Sequence, residues 1–210
     1  MSMQRVDNYE RTASGMVFVG KSPEQSRMDR INKLKSFLLS LIEEEFELSF
    51  RSQNCLNNSG IKLIGQLVQK SASELLHLKN FGRTSLRDIE EDLKAKGLTL
   101  DMTLNFFPWN GDNNGAELIQ ILSLQQPGGG FLIDNQAAKT LNIDLKEINQ
   151  PVSRKKLSLI HTKYLLDRLE SKFEKDIPYL TSLLNPHMRW LVKELKKYGV
   201  GSKSIMQEGN

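Results

Sequence analysis

The sequence predicts a mainly α protein: a compact helical domain with a helix-hairpin-helix unit, flanked by an N-terminal helix and a C-terminal helical segment. Three observations predict it. Met28, Ile31, Leu34, Leu38, Leu41 and Ile42 recur at helical spacing behind a Ser22-Pro23 start. Leu86, Ile89 and Leu93 repeat that spacing after a tight turn, and Gly97 stops them. The period returns after Ser153 with Leu157, Ile160, Tyr164, Leu165, Leu169 and Phe173.

In sequence order, residues 1–21 are polar without a clear period and read as a flexible arm, with a short extended piece at Met16-Val17-Phe18-Val19. Residues 22–46 read as one amphipathic helix. Ser22 caps it, Pro23 takes the first turn and Gln25 is the capping-box partner. Its apolar stripe must bury against the next domain or a second copy, so a homodimer through residues 28–46 is one expectation. The helix ends in the acidic run Glu43-Glu44-Glu45-Phe46-Glu47.

Residues 43–108 are expected to form a domain of short helices over 52–58, 61–69, 72–77 and 84–96. Ser52 caps the first, and Asn57 to Gly60 turns the backbone. Its core candidates are Leu56, Ile61, Ile64, Leu67, Val68, Leu75, Leu76, Leu86, Ile89, Leu93 and Leu98. Residues 109–152 read as an irregular linker or small α/β segment: a loop at 110–115, an apolar piece from Leu118 to Leu124, a turn at Gln126–Gly130, a short strand at Phe131–Ile133 and a helical turn or two at Asn135–Leu141. The Gly128-Gly129-Gly130 run has no following Lys-Ser or Lys-Thr and no GxGxxG pattern, so it does not read as a phosphate loop. Residues 153–200 form a helical segment, interrupted at Pro178, with Asn185-Pro186 as a second cap and Gly199 as the stop. Residues 201–210 read as a disordered tail.

Composition narrows the chemistry. Of 210 residues, 39% are apolar and 26% charged, as in a globular protein with a real core. No run approaches a membrane span, and the N-terminus has no apolar signal region, so the expected location is the cytoplasm. One cysteine excludes an internal disulfide, and His77, His161 and His187 show no metal-ligand spacing. There is no nucleophile–base pair, metal cluster or phosphate loop. The sequence reads as that of a non-enzyme, with no catalytic residue, cofactor or metal. Net charge is +4 but uneven: residues 101–150 hold two Lys/Arg against six Asp/Glu, and residues 151–210 hold twelve against six. Basic segments suit a polyanion, and equally a solvated surface.

The turn from Leu78 to Leu86 is the chemically pointed stretch. Gly82 is expected to turn the backbone through positive φ. The helix that follows presents unpaired backbone N–H groups and partial positive charge, which attract phosphate. A helix-hairpin-helix unit grips a nucleic-acid backbone in this way.

Five blocks around it carry a specific likeness: Arg51-Ser52-Gln53-Asn54-Cys55-Leu56, Gly65-Gln66-Leu67-Val68, Glu74-Leu75-Leu76, Asn80-Phe81-Gly82-Arg83-Thr84-Ser85-Leu86, and Gly97-Leu98-Thr99-Leu100-Asp101-Met102. In this order and spacing, the stretch from Glu43 to Pro108 resembles the C-terminal domain of the bacterial RNA polymerase alpha subunit. The resemblance implies a DNA-binding accessory transcription protein, bacterial or from a bacterial mobile element, and nucleoid-associated. Its DNA contacts would be Arg51, entering the minor groove of A/T-rich upstream promoter regions, with Asn54, Cys55, Gly82, Thr84, Ser85 and Asp88. Glu44, Glu45 and Glu47 fall where the family presents acid to sigma factor, so RNA polymerase and sigma are implied partners. Any polymerase activity attached to the protein would be inherited from the family. Three departures stand out. Thr84 replaces a usual lysine, Asp88 a glutamate, and Asp101 a glycine of the closing motif. About 45 residues precede the matched stretch, too few for the family's N-terminal assembly domain, so the protein is not expected to act as a complete assembly subunit. The alternative is an adaptor or decoy module on the transcription machinery that does not bind DNA.

Overall fold

The computed structural model describes residues 9–12, 15–18, 20–126, 129–148, 152–174 and 180–197. The fold is mainly helical. A two-stranded antiparallel ribbon, β1 (Tyr9–Thr12) and β2 (Gly15–Phe18), comes first, with Tyr9 opposite Phe18. The extended piece expected at Met16–Val19 therefore coincides with β2, except Val19, which lies outside the described residues.

Helix α1 (Pro23–Leu38) has the capping box read from the sequence. Ser22 Oγ accepts from Gln25 N, and the Gln25 side chain accepts from Ser22 N. The single helix expected over 22–46 is instead broken after Leu38, and α2 (Ile42–Glu45) follows. The break arises because the backbone pairs with another segment. Ile42 N donates to Lys62 O at 2.8 Å and Ile64 N to Ser40 O at 3.1 Å, a stronger demand than continuing the helix. The apolar stripe divides accordingly. Leu38, Leu39, Leu41 and Ile42 are buried within the protein, while Met28, Ile31 and Leu34 remain 53%, 36% and 47% exposed. Any second copy on residues 28–46 would meet only those three.

Four helices follow: α3 (Phe50–Asn58), α4 (Ile64–Val68), α5 (Ala72–Leu76) and α6 (Arg83–Ala95). Ser49, not Ser52, caps α3: its Oγ accepts from Ser52 N, and Ser52 is 1% exposed inside the helix. Helix α4 is shorter than expected because Lys62 and Leu63 are still extended, their N–H groups held by Gln66 Oε1 at 2.9 and 3.0 Å. Ser71 and Glu74 form a capping box on α5, and these bonds, with Lys70, hold the Glu74 carboxyl down to about 2. These helices close on a core that includes Leu38, Phe46, Leu56, Ile64, Leu75, Ile89 and Leu93; Leu76, expected inside, is 39% exposed on the outer side of α5, and Leu86 is half-buried against the core. The closing motif returns to α4, with Asp101 N donating to Lys70 O at 3.0 Å and Met102 N to Val68 O at 2.8 Å. Asp101 has φ +61°, so the position where the family carries a glycine is a left-handed one that Asp tolerates.

In the stretch read as an irregular linker or small α/β segment, 109–152, the described residues hold three helices: α7 (Asn113–Leu122), α8 (Asn135–Thr140), where a helical turn or two was expected, and α9 (Leu145–Ile148), the first two capped by Asp112 and Asp134. Instead of a strand at Phe131–Ile133 there is one bridge, Gln125 to Phe131. Helix α10 (Arg154–Leu169) runs into a π-helical turn, Glu170–Glu174, and α11 (Leu180–Lys197) packs against it. The buried face of α10 is the expected one only in part: Leu165, Leu169 and, beyond the helix, Phe173 are buried as read, but the face is turned toward His161 and Thr162. Leu159, His161, Thr162, Leu165, Leu166 and Leu169 are buried, while Leu157, Ile160 and Tyr164 are half-buried. The reason is polar. Thr162 Oγ1 accepts from Phe131 N at 2.8 Å, His161 Nδ1 accepts from Ile133 N at 3.0 Å, and Ser158 Oγ donates to Phe131 O at 3.2 Å. The backbone groups of this loop that the bridge does not use take partners from the helix. Asn185-Pro186 is not a cap either, because α11 continues through it. The expected features at residues 1–8, Pro178, Gly199 and 201–210 lie outside the described residues.

The second core joins the C-terminal helices to Leu39, Leu41 and Leu63, and Trp109 packs on both cores. A Cβ at Gly65 would overlap the Trp109 ring and lie 2.9 Å from Leu38 O, so glycine is what allows this seam to close. Glu117 on α7 accepts from Arg168 Nε at 2.9 Å and from Lys172, tying α7 to α10 and the turn after it. Burial pushes the Glu117 carboxyl up, but bonds from Lys172 and Arg168 outweigh it and hold the group below its ordinary range.

Candidate nucleic-acid interface

The site begins at the N-terminus of α3. Ser49 ends the preceding extended segment and caps the helix, which puts Phe50, Arg51 and Asn54 on its outer side while Ser52, Cys55 and Leu56 face the core. A cation in the first turn opposes the helix dipole, so Arg51 is not placed there for the helix's own stability. Its exposed side chain reaches across to the turn before α6, where Nε donates to Asn80 O at 3.2 Å. Asn80 itself carries the turn, at φ +66°. Asn visits the left-handed region more readily than most residues.

Together α3 and this turn form an open groove of about 740 Å³, lined by Phe50, Arg51, Asn54, Cys55, Asn58, Ser59, Lys79 and Asn80. Two cations and no carboxylate line it. Cys55 is buried at 6% exposure, a small residue in the groove wall. The structure thus brings Arg51, Asn54 and Cys55 together. Lys79, Asn80 and Phe50 join them without a contact having been expected of them from the sequence. Asn80 was readable as a left-handed turn former, and Lys79 as its basic neighbour.

The other expected contact residues lie just beyond the groove. Gly82 is the N-cap of α6, and that helix has no side-chain cap. The first helical bond there is Leu86 N to Gly82 O, which leaves the N–H groups of Arg83, Thr84 and Ser85 at the open end. Arg83 and Thr84 are exposed, Ser85 is 9% exposed, and Asp88 is half-buried one turn on. Gly82 has φ −118° and ψ 169°, so the expectation that it turns the backbone through positive φ is corrected: Asn80 does that. A Cβ at Gly82 would meet nothing within 4 Å. Neither the backbone nor the packing of the free protein requires glycine there; a ligand approaching the backbone would.

The acidic cluster is set on α2 and the segment after it. Glu44 and Glu47 are exposed and Glu45 is half-buried, whereas Glu43 accepts from Gln53 Nε2 at 2.6 Å and is tied to α3. Among the described residues no group of three or more His, Cys, Asp or Glu could hold a metal, and no helix is long and apolar enough to cross a membrane.

Residues 30–95 match the family model for the C-terminal domain of the bacterial RNA polymerase alpha subunit. The protein is 48% identical over 101 residues to the DNA-directed RNA polymerase subunit alpha of Syntrophus aciditrophicus (strain SB), an alignment covering 48% of this protein and 29% of that one. It is 50% identical over 88 residues to the subunit of the same name from Pelobacter propionicus, covering 42% and 25%. Against that of Geobacter metallireducens it is 55% identical over 65 residues, covering 31% and 19%. The alignments therefore span less than a third of the curated relatives. The resemblance of this stretch to the alpha C-terminal domain stands on the family match and on these identities together.

Proposed function

We propose that residues 43–108 are the DNA-binding domain of a cytoplasmic, nucleoid-associated accessory transcription protein. Arg51 would enter the minor groove of A/T-rich upstream promoter DNA, where a narrow groove concentrates negative potential. Asn54 and Cys55 would lie against the groove wall, and the N-terminus of α6, with Gly82, Thr84 and Ser85, would receive a flanking phosphate, with Asp88 one turn on. Glu44, Glu45 and Glu47 would offer a complementary face to a basic region of RNA polymerase or sigma.

The observation that carries this reading is Arg51. It is an exposed cation in a helix first turn, braced on Asn80 O beside a groove with no acid in its lining. The test is fluorescence anisotropy of the full-length protein on an A/T-rich duplex. Arg51→Ala should lose binding at least tenfold with an unchanged melting curve; equal affinity of the variant would sink the reading.

A second reading is favoured by Thr84. An exposed hydroxyl stands where the family carries a lysine, and a missing phosphate contact weakens binding and flattens its salt dependence. The domain would then serve as an adaptor or decoy on the transcription machinery. Capture of polymerase or sigma that survives nuclease treatment, with no duplex bound, would favour it.

A further inference from the structure

We propose that Phe50 is an apolar wedge: on an A/T-rich duplex its ring enters the minor groove beside Arg51, parts one base step and bends the DNA. This rests on the minor-groove reading above and adds a mechanism to it. Phe50 is 80% exposed, and none of the other exposed large apolar residues described comes close, the next being Met28 at 53%. The core face of α3 is made by Ser52, Cys55 and Leu56, so the phenyl ring adds little to the core of the free protein. It stands at the first position of the helix, next in sequence to the arginine that marks the site.

The surroundings say which partner the ring meets. Phe50 lines the same open groove as Arg51 and Lys79, and no carboxylate shares that lining. An apolar pocket on a protein would also take a phenyl ring, but two cations beside it favour a polyanion. Phe50 and Arg51 line one groove, so a duplex that takes Arg51 into its minor groove also passes the exposed ring. There an apolar group can slide between bases, unstack them partly and kink the duplex toward the major groove. A pyrimidine–purine step such as TA parts with least resistance. The ring exchanges water for a base face, a contact that contributes roughly five- to a hundredfold in affinity per base.

The experiment uses the full-length protein and an A/T-rich duplex with 2-aminopurine replacing the adenine of a central TA step. Anisotropy reads affinity, 2-aminopurine emission reads unstacking, and energy transfer between end labels reads bending. The wild type should raise emission and shorten the end-to-end distance. Phe50→Ala should bind roughly five- to tenfold more weakly, with neither signal and an unchanged melting curve. Arg51→Ala should lose binding at least tenfold. If Phe50→Ala binds within twofold and keeps both signals, the wedge is overturned. If the wild type binds with no emission change as the label is moved through every TA step, the wedge is overturned while the minor-groove reading stands. If the wild type shows no binding to A/T-rich DNA, both fall. Loss of polymerase or sigma capture in Phe50→Ala, with DNA binding intact, would assign the ring to a protein partner and overturn the proposal.

Discussion

Gly82 separates what the fold needs from what a ligand needs. Its backbone, at φ −118° and ψ 169°, suits any L-residue, and a Cβ there meets nothing within 4 Å. It is also an N-cap without a side chain, at the head of a 13-residue helix. In Gly82→Asp the new carboxylate can accept from the open N–H groups and oppose the helix dipole. The cap is worth a few tenths of a kcal/mol over glycine, and the dipole interaction adds a similar amount, so stability should rise by about 0.5–1 kcal/mol. For a protein of this size that is roughly 2 °C in Tm. On the proposed reading, the same carboxylate would occupy the space of a bound phosphate and repel it. Affinity for an A/T-rich duplex should fall at least tenfold, and the slope of log K against log salt should shrink by about 0.9 for the lost contact. Gly82→Ala is the control. Alanine is a poor cap but restricts the unfolded state, so its stability should stay within about 0.5 kcal/mol of the wild type. The assay is a thermal melt beside an anisotropy salt series. A more stable Gly82→Asp that binds DNA as well as the wild type would remove the α6 N-terminus from the interface. A Gly82→Asp destabilised by more than about 1 kcal/mol would refute the open geometry itself.

Three further outcomes follow from the packing. Gly65→Ala forces a methyl group into the Trp109 ring and close to Leu38 O, and should lower stability by about 1–3 kcal/mol in a denaturant melt, with blue-shifted tryptophan emission lost earlier in the transition. Burial lowers the pKa of His161 below its ordinary 6.5, so the unfolded state takes up a proton first as pH falls. Stability is therefore full above pH 6.5 and declines below it, toward the folded pKa, at up to about 1.4 kcal/mol per pH unit. His161→Leu should abolish that slope between pH 5 and 6.5 and cost about 1–3 kcal/mol at pH 7 by orphaning Ile133 N–H. Glu117→Gln should cost about 1–3 kcal/mol because Arg168 loses its charged acceptor in a part-buried setting. Glu117's depressed pKa makes its contribution present above pH 4.5 and lost as pH falls through the folded pKa, so urea melts of the two proteins should converge in acid.

Legibility in the sequence followed how local the physics was. The Ser22–Gln25 capping box and the helix after Gly82 rest on neighbours within four residues, and both are present as read. The break after Leu38 was invisible because its cause lies 20 or more residues away, in the pairing of Ser40 and Ile42 with Ile64 and Lys62. The buried face of α10 was read only in part, with Leu165 and Leu169 but without His161 and Thr162, because these two count as polar in a hydrophobic pattern. They are drawn inward by the backbone of Phe131 and Ile133, which no periodicity records. Ser52 was read as the cap of the helix, but the chain arrives extended at Ser49, which caps it three residues earlier. At the proposed site, Arg51, Asn54 and Cys55 were singled out by the family likeness, and the structure sets them on one helix, lining one groove. Composition favours the glycine for the turn, whereas Asn80 takes the left-handed position and leaves Gly82 extended. Phe50 was overlooked because an exposed aromatic next to a motif residue carries no pattern of its own.

The most direct test of the account is binding of the full-length protein to an A/T-rich and a G/C-rich duplex of equal length across a salt series. Minor-groove reading by Arg51 predicts tighter binding to the A/T duplex at every salt concentration, with affinity falling as a power of salt, and loss of the preference in Arg51→Ala. Equal, weak binding to both duplexes, unchanged in Arg51→Ala, would contradict it and move the function of this domain to protein contacts.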